Sequence, residues 1–298
     1  MTNIFYNDNK QMRNGWWILI FIGFVALTRP IYKPIKQGLG QLGFTDQVLE
    51  PVSFLLLLLV TWICVKIRKQ SLSDVGMRIN LHWFKHFFTG TFAGIGMMFA
   101  TVSLIWFTGG VTFELDEQRN LQVLSYGLYL FLFASLVEEI LHRGFIFQRL
   151  IAGIGVWGAQ LLIASLFAFG HSGNPDMDGT TELFATLDLF FLSLVFGLAY
   201  IKTGSLALPV GLHLGWNWAQ GNILGFGVSG HDKAGWLKPT FQGMDEWITG
   251  GSFGPEASIF SVVICIITLI ILYFWKGNLA TIKKVETPMV ENPTAVHE

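Results

Sequence analysis

Two carboxylates, an imidazole and a guanidinium interrupt a stretch that otherwise reads as hydrocarbon. They stand in Val137-Glu138-Glu139-Ile140-Leu141-His142-Arg143-Gly144, inside the apolar run from Tyr126 to Phe147. A charge near the centre of a bilayer costs about 2.5–3.5 kcal/mol even on a lenient insertion scale. Glu138, Glu139 and Arg143 therefore need partners or a use. On a helix, residues four apart share a face and consecutive residues point about 100° apart. Glu139 and Arg143 can pair, while Glu138 faces elsewhere with only His142 on its own side. A desolvated, unpaired carboxylate is a candidate general base near neutral pH. The plainer reading is a structural ion-pair knot between helices.

Other polar groups stand in apolar surroundings further along. His171 closes the run Phe167-Ala168-Phe169-Gly170-His171, and His213 and Asn217 lie four apart in His213-Leu214-Gly215-Trp216-Asn217. Singly, each histidine reads as an interfacial or hydrogen-bonded residue. Together, three helices bring hydrogen-bonding or ionisable groups toward one interior. Two chemistries fit. Glu138, His171 and His213 could ligate zinc with one position open. Alternatively, a carboxylate base and a histidine hold a water, while a second histidine and an asparagine meet the oxyanion of a tetrahedral intermediate. Both lead to amide hydrolysis. Nucleophilic acyl transfer fits poorly. The one GxSxG, Gly250-Gly251-Ser252-Phe253-Gly254, has no strand before it, and there is no SxxK.

The elements that must position these groups are membrane helices. The 298 residues are 52% hydrophobic and 13% charged, against about 25% charged in soluble domains. The expected fold is an all-α polytopic bundle, one domain over 1–298. Apolar windows near the ~20 residues that cross a bilayer fall at about 15–31, 49–67, 84–108, 122–147, 153–172, 183–202, 206–224 and 258–275. At 1.5 Å per residue, Glu138, His171 and His213 stand roughly 18, 27 and 10 Å from their inner helix ends, a spread that permits convergence. A net charge of -1 gives no footprint for nucleic acid. No cleavable signal or lipidation motif is expected, because the first apolar run leads into Thr28-Arg29-Pro30 without a small-x-small site.

Lysine and arginine cluster after the second window (Lys66, Arg68, Lys69, Arg78, Lys85) and after the eighth (Lys276, Lys283, Lys284), while 109–121 and 173–182 are acidic. The positive-inside rule then puts both termini in the cytoplasm. Arg29, Lys33 and Lys36, read as lying between the first two windows, dissent. Cys64 and Cys265 sit in apolar runs and read as packing residues. Gly90-Thr91-Phe92-Ala93-Gly94 predicts close helix packing. The Gly-rich stretch 225–257 reads as a plain connection in preference to a cover, and the residues from Gly277 onward as a polar, disordered cytoplasmic tail.

The motifs, in order, resemble those of the CPBP family of intramembrane endopeptidases, which includes CAAX-processing proteases and bacterial abortive-infection and bacteriocin-immunity-like proteins. Glu138, Glu139 and Arg143 match its EExxxR, Phe167 and His171 its FxxxH, and His213 and Asn217 its HxxxN. Lys202–His213 and Gly227–Gly230 also look like family stretches, so the likeness covers about 122–230. It implies an eight-helix bundle and a metal-free, glutamate-activated water, with zinc as the alternative. Glu138 would be the base, and His171 would hold the water. His213 and Asn217 would meet the oxyanion, and Glu139, Arg143 and Phe167 would support the site. Asp188 stands where similar bacterial sequences often have Asn, and either reaches the cavity or caps a bend. The implied partners are a membrane-associated peptide or protein substrate and the lipid bilayer, in a bacterial plasma membrane. A catalytically silent scaffold or immunity factor of the same fold, and an ion-coupled transporter built around a buried acid, are the rival readings.

Overall fold

A computed structural model of the chain describes residues 4–7, 10–43 and 50–277. Each apolar window becomes a helix: α1 Asn14–Gln41, α2 Glu50–Ile67, α3 Leu81–Phe107, α4 Leu121–Arg143, α5 Phe145–Gly170, α6 Gly179–Thr203, α7 Ala207–Trp218 and, after the four-residue α8 Glu246–Thr249, α9 Ile259–Phe274. By length and hydropathy, α1, α3, the nearly continuous α4–α5 stretch and α6 are long and apolar enough to cross a membrane; α2 and α9 are shorter apolar helices. The tail expected beyond Gly277 lies outside the described residues.

Two helices differ from the windows. The first window was expected to end near residue 31, but α1 runs for 28 residues through Pro30 and Pro34. Proline removes one N–H and crowds the carbonyl four residues back, and apolar helices in lipid tolerate this when neighbours re-satisfy the freed groups. Arg29, Lys33 and Lys36 therefore sit on α1 rather than in a loop. Helix α5 is broken at Gly155, whose φ of +77° is open to glycine. The chain leaves α4 at the Gly144 bend, runs a short segment and turns there into the rest of α5.

The seam between α3 and α7 is the most extensive helix contact, and glycine makes it. A Cβ at Gly94 would stand 2.2 Å from the Leu212 carbonyl oxygen, and one at Gly215 would stand 2.0 Å from the Thr91 carbonyl oxygen. Gly90 and Gly211 are equally tight against Leu208 and Phe87. Small residues on both helices thus bring the backbones together, and this holds the helix that carries His213 and Asn217 in one register.

Two apolar clusters flank that seam. Phe21, Phe145, Phe147, Ile140 and Tyr200 join α1, α4, α5 and α6. Met98, Ile105, Val195, Phe196 and Trp216 join α3, α6 and α7. Cys64 and Cys265 are buried and free. Asp188 neither reaches the cavity described below nor caps a bend. It is buried in α6 and accepts from Ser261 Oγ at 2.5 Å and Cys265 Sγ at 3.3 Å, tying α6 to α9.

The stretch 225–257 is not a plain connection. Within it β2 (Leu237–Phe241) pairs antiparallel with β1 (Val111–Leu115), Val111 opposite Phe241. Phe226 packs edge-on against Phe113 at 5.8 Å. The fold is the expected all-α bundle, and this one small sheet among the described residues anchors the stretch beyond the end of α3. Ser252 of the GxSxG is exposed in a turn that directly follows the helix α8, not a strand.

Candidate active site

Helix α4 delivers the acids. Glu139 and Arg143 are fully buried and paired, Arg143 Nη1 to Glu139 Oε1 at 3.2 Å. The guanidinium also donates to the Ser193 carbonyl at 3.0 Å and lies 5.1 Å from the Phe167 ring and 5.4 Å from the Phe196 ring. Its charge is thus met by a carboxylate, a carbonyl and two aromatic faces. Ser193 and Phe196 are in α6, whose apolar sequence carried no signal for this role.

Glu138 points the other way. Its side chain is 32% exposed, and Oε2 is buried without a hydrogen-bond partner. His142 does not engage this carboxylate; its ring nitrogen Nδ1 donates to the Glu138 backbone carbonyl at 2.8 Å.

Helix α7 delivers His213 between the two acids. Nδ1 is 3.0 Å from Glu139 Oε1, and Nε2 is 4.0 Å from Glu138 Oε2. Its ring stacks on Phe196 with centroids 4.9 Å apart. A carboxylate only accepts, so Nδ1 carries the proton shared with Glu139. Nε2 then donates toward the cavity only when the ring is doubly protonated. Glu139 thereby fixes the position of the Nδ1 proton of His213 as well as pairing with Arg143. Asn217, one turn further along, is half-buried and makes no protein hydrogen bond among the described residues.

Helix α5 ends on His171. Its Nδ1 donates to the Phe167 carbonyl at 2.7 Å, which leaves Nε2 free. The Phe167 ring packs against His171, His142 and His213. Glu138, His171, His213 and Asn217 line one cavity of about 400 Å³ together with Phe167. The structure therefore gathers the four groups from three helices.

These observations meet an independent one: residues 120–219 match the family described as Type II CAAX prenyl endopeptidase Rce1-like. Residues 120–219 are thus similar to an Rce1-like domain of the CPBP/CAAX-protease family. No curated protein and no solved structure matches the chain.

The Rce1-like domain contains all seven residues expected at the site, but it does not close the cavity. Ser229, His231, Lys233 and Glu256 line the same space from the stretch that follows. That stretch is strapped down. A Cβ at Gly230 would meet the Pro175 carbonyl oxygen at 2.1 Å, and Gly230 N donates to the Phe253 carbonyl at 3.0 Å. Glu256 is buried and accepts from the Ser229 amide. Burial holds its carboxyl above the ordinary carboxylate range, against the hydrogen bonds from Ser229 and Gln220. The sequence carried little sign of these four: charged and hydroxyl residues in a Gly-rich loop read as solvated.

Among the described residues no three His, Cys, Asp or Glu side chains are gathered as metal ligands.

Proposed function

We propose that the Rce1-like domain hydrolyses a peptide bond of a membrane-associated substrate with a water activated by Glu138. The observation that carries this reading is the contrast between neighbouring acids: Glu139 is fully buried with Oε1 held by Arg143 and His213, while Glu138 is 32% exposed, lines the cavity and, among the described residues, pairs with no cation closer than His213 Nε2 at 4.0 Å. Glu138 takes a proton from a water that His171 Nε2 positions, and the water oxygen bonds to the scissile carbonyl carbon. The carbonyl π electrons move to oxygen, and that oxyanion accepts from Asn217 Nδ2 and from Nε2 of doubly protonated His213. When the tetrahedral intermediate collapses, the C–N bond breaks and the Glu138 proton passes to the leaving amine.

The basic segments of the chain support cytoplasmic termini, which would put the acidic segments 109–121 and 173–182, and the cavity mouth beside Asn174, on the opposite face. The deciding experiment uses purified protein in nanodiscs and a library of membrane-anchored peptides, with Glu138→Gln as control. Cleavage of some members by wild type alone is expected. Wild type that cleaves nothing, or a control that matches it, overturns the reading.

A further inference from the structure

The cavity contains one cation whose presence the reaction above does not use. Lys233 comes from the strapped loop, lies half-buried, and lines the cavity with Glu138, His171, His213 and Asn217. Its ammonium nitrogen stands 5.8 Å from the Phe131 ring centroid. Among the described residues no carboxylate lies within 4.0 Å of it. Glu138 and Glu256 share the cavity, yet neither pairs with it.

Its placement is built. The Lys233 stem lies against the bare backbone of Gly221, where an added Cβ would stand 3.0 Å from Lys233 Cγ and 3.0 Å from Val228 Cγ2. Gly221 belongs to the π-helical turn Ala219–Ile223 that continues α7 beyond Asn217. The lysine is thus packed against the continuation of the helix that carries the candidate oxyanion donors. Burial lowers its pKa, and the neighbouring Asp232 opposes that shift only in part. With no carboxylate paired to it and its stem fixed, this ammonium is placed to meet an anion that arrives with a ligand.

We infer that Lys233 is a specificity-determining residue that binds a carboxylate of the peptide substrate, from either the chain terminus or an acidic side chain, close to the scissile bond. This rests on the peptidase reading, and it makes the enzyme selective for a charge pattern as well as for an apolar segment. The apolar wall of Phe131, Phe167, Leu189 and Leu192 takes the hydrophobic part of the same substrate.

The test uses N-acylated twelve-residue peptides in phosphatidylcholine nanodiscs, in three forms: no acidic residue and a free terminal carboxylate; no acidic residue and an amidated terminus; and an amidated terminus with a single glutamate. Wild type should have a KM about ten- to hundredfold lower for one carboxylate-bearing form than for the uncharged form. Which form responds identifies the source of the carboxylate. Lys233→Met should abolish that preference while kcat stays within about twofold and the uncharged peptide is still cut, which shows that the variant folds. Binding of the same peptides to Glu138→Gln protein separates the two readings. Carboxylate-dependent binding that Lys233→Met removes, without any wild-type turnover, sinks the peptidase reading and keeps this one. Turnover without a carboxylate preference, a preference that survives Lys233→Met, or one that depends on added phosphatidylglycerol overturns this one. Absence of both binding and turnover overturns both.

Discussion

Replacing Glu139 by Gln and Glu138 by Gln is the same chemical change one residue apart, and the structure assigns the two opposite consequences. Glu139 and Arg143 are both at zero exposure and 3.2 Å apart. Removing one partner of a buried pair leaves an uncompensated charge, a loss of about 3–5 kcal/mol. Arg143 would keep the Ser193 carbonyl and the faces of Phe167 and Phe196, and the Gln carbonyl can still accept from His213. These place the loss near the lower bound, about 3 kcal/mol, which for a chain of this size is roughly 6–12 °C in Tm. Glu138 is 32% exposed, and the atom that changes has no hydrogen bond. Its replacement should move Tm by no more than about 2–4 °C, the equivalent of roughly 1 kcal/mol, yet lower turnover by about 10²–10⁴-fold through loss of the base. Thermal-shift and single-turnover measurements on the two variants in the same detergent decide it. Equal Tm shifts, or turnover of Glu138→Gln within tenfold of wild type, would refute the division between base and brace.

Three further outcomes follow from the same geometry. In a Cys-free background, single cysteines at Ser73 and Gly277 should react with an impermeant maleimide only from the cytoplasmic side, and one at Asp178 only from the other; labelling of Ser73 and Asp178 from one side would overturn the orientation. Exhaustively chelated protein should keep its turnover and contain zinc well below one per chain by elemental analysis; stoichiometric zinc, with activity lost on chelation and restored by zinc alone, would make Glu138 a ligand. Burial raises the Glu256 pKa, so the stability tied to its neutral form is complete at acid pH and is lost as pH rises through the raised value. Glu256→Gln keeps an acceptor for the Ser229 amide and cannot ionise, so its Tm advantage over wild type should grow with pH above the usual carboxylate range; a constant difference between pH 5 and 9 would count against a neutral Glu256.

What the sequence determined by itself was the class of the molecule and the polar residues, out of place in apolar helices, that the structure brings together. Charge is so costly in an apolar helix that Glu138, Glu139, Arg143, His171, His213 and Asn217 stood out without any neighbour being known. The i, i+4 rule paired Glu139 with Arg143, and the 3.2 Å contact agrees. Hydropathy located eight helices because lipid leaves the backbone few alternatives. Gly90 and Gly94 announced a close approach, but not that α7 with Gly211 and Gly215 was the other side of it. The window that missed its helix end by most was the first, where proline signals that end a helix in water did not end α1.

Only the tertiary structure decided how the groups meet. That His213 stands between Glu139 and Glu138, with Nδ1 on one and Nε2 toward the other, depends on the rotation of α7 against α4. The rotation of α7 is set by its backbone contacts with α3 at glycines, which no local pattern encodes. The cover was equally illegible. Ser229, Lys233 and Glu256 lie in a Gly-rich connection whose composition is that of a solvated loop, and they reach the cavity because β1 and β2 pair across more than a hundred residues and Gly230 fits against Pro175. Local chemistry is written residue by residue and survives reading in one dimension. Which residues close a cavity depends on contacts distant in sequence, and those exist only once the chain has packed.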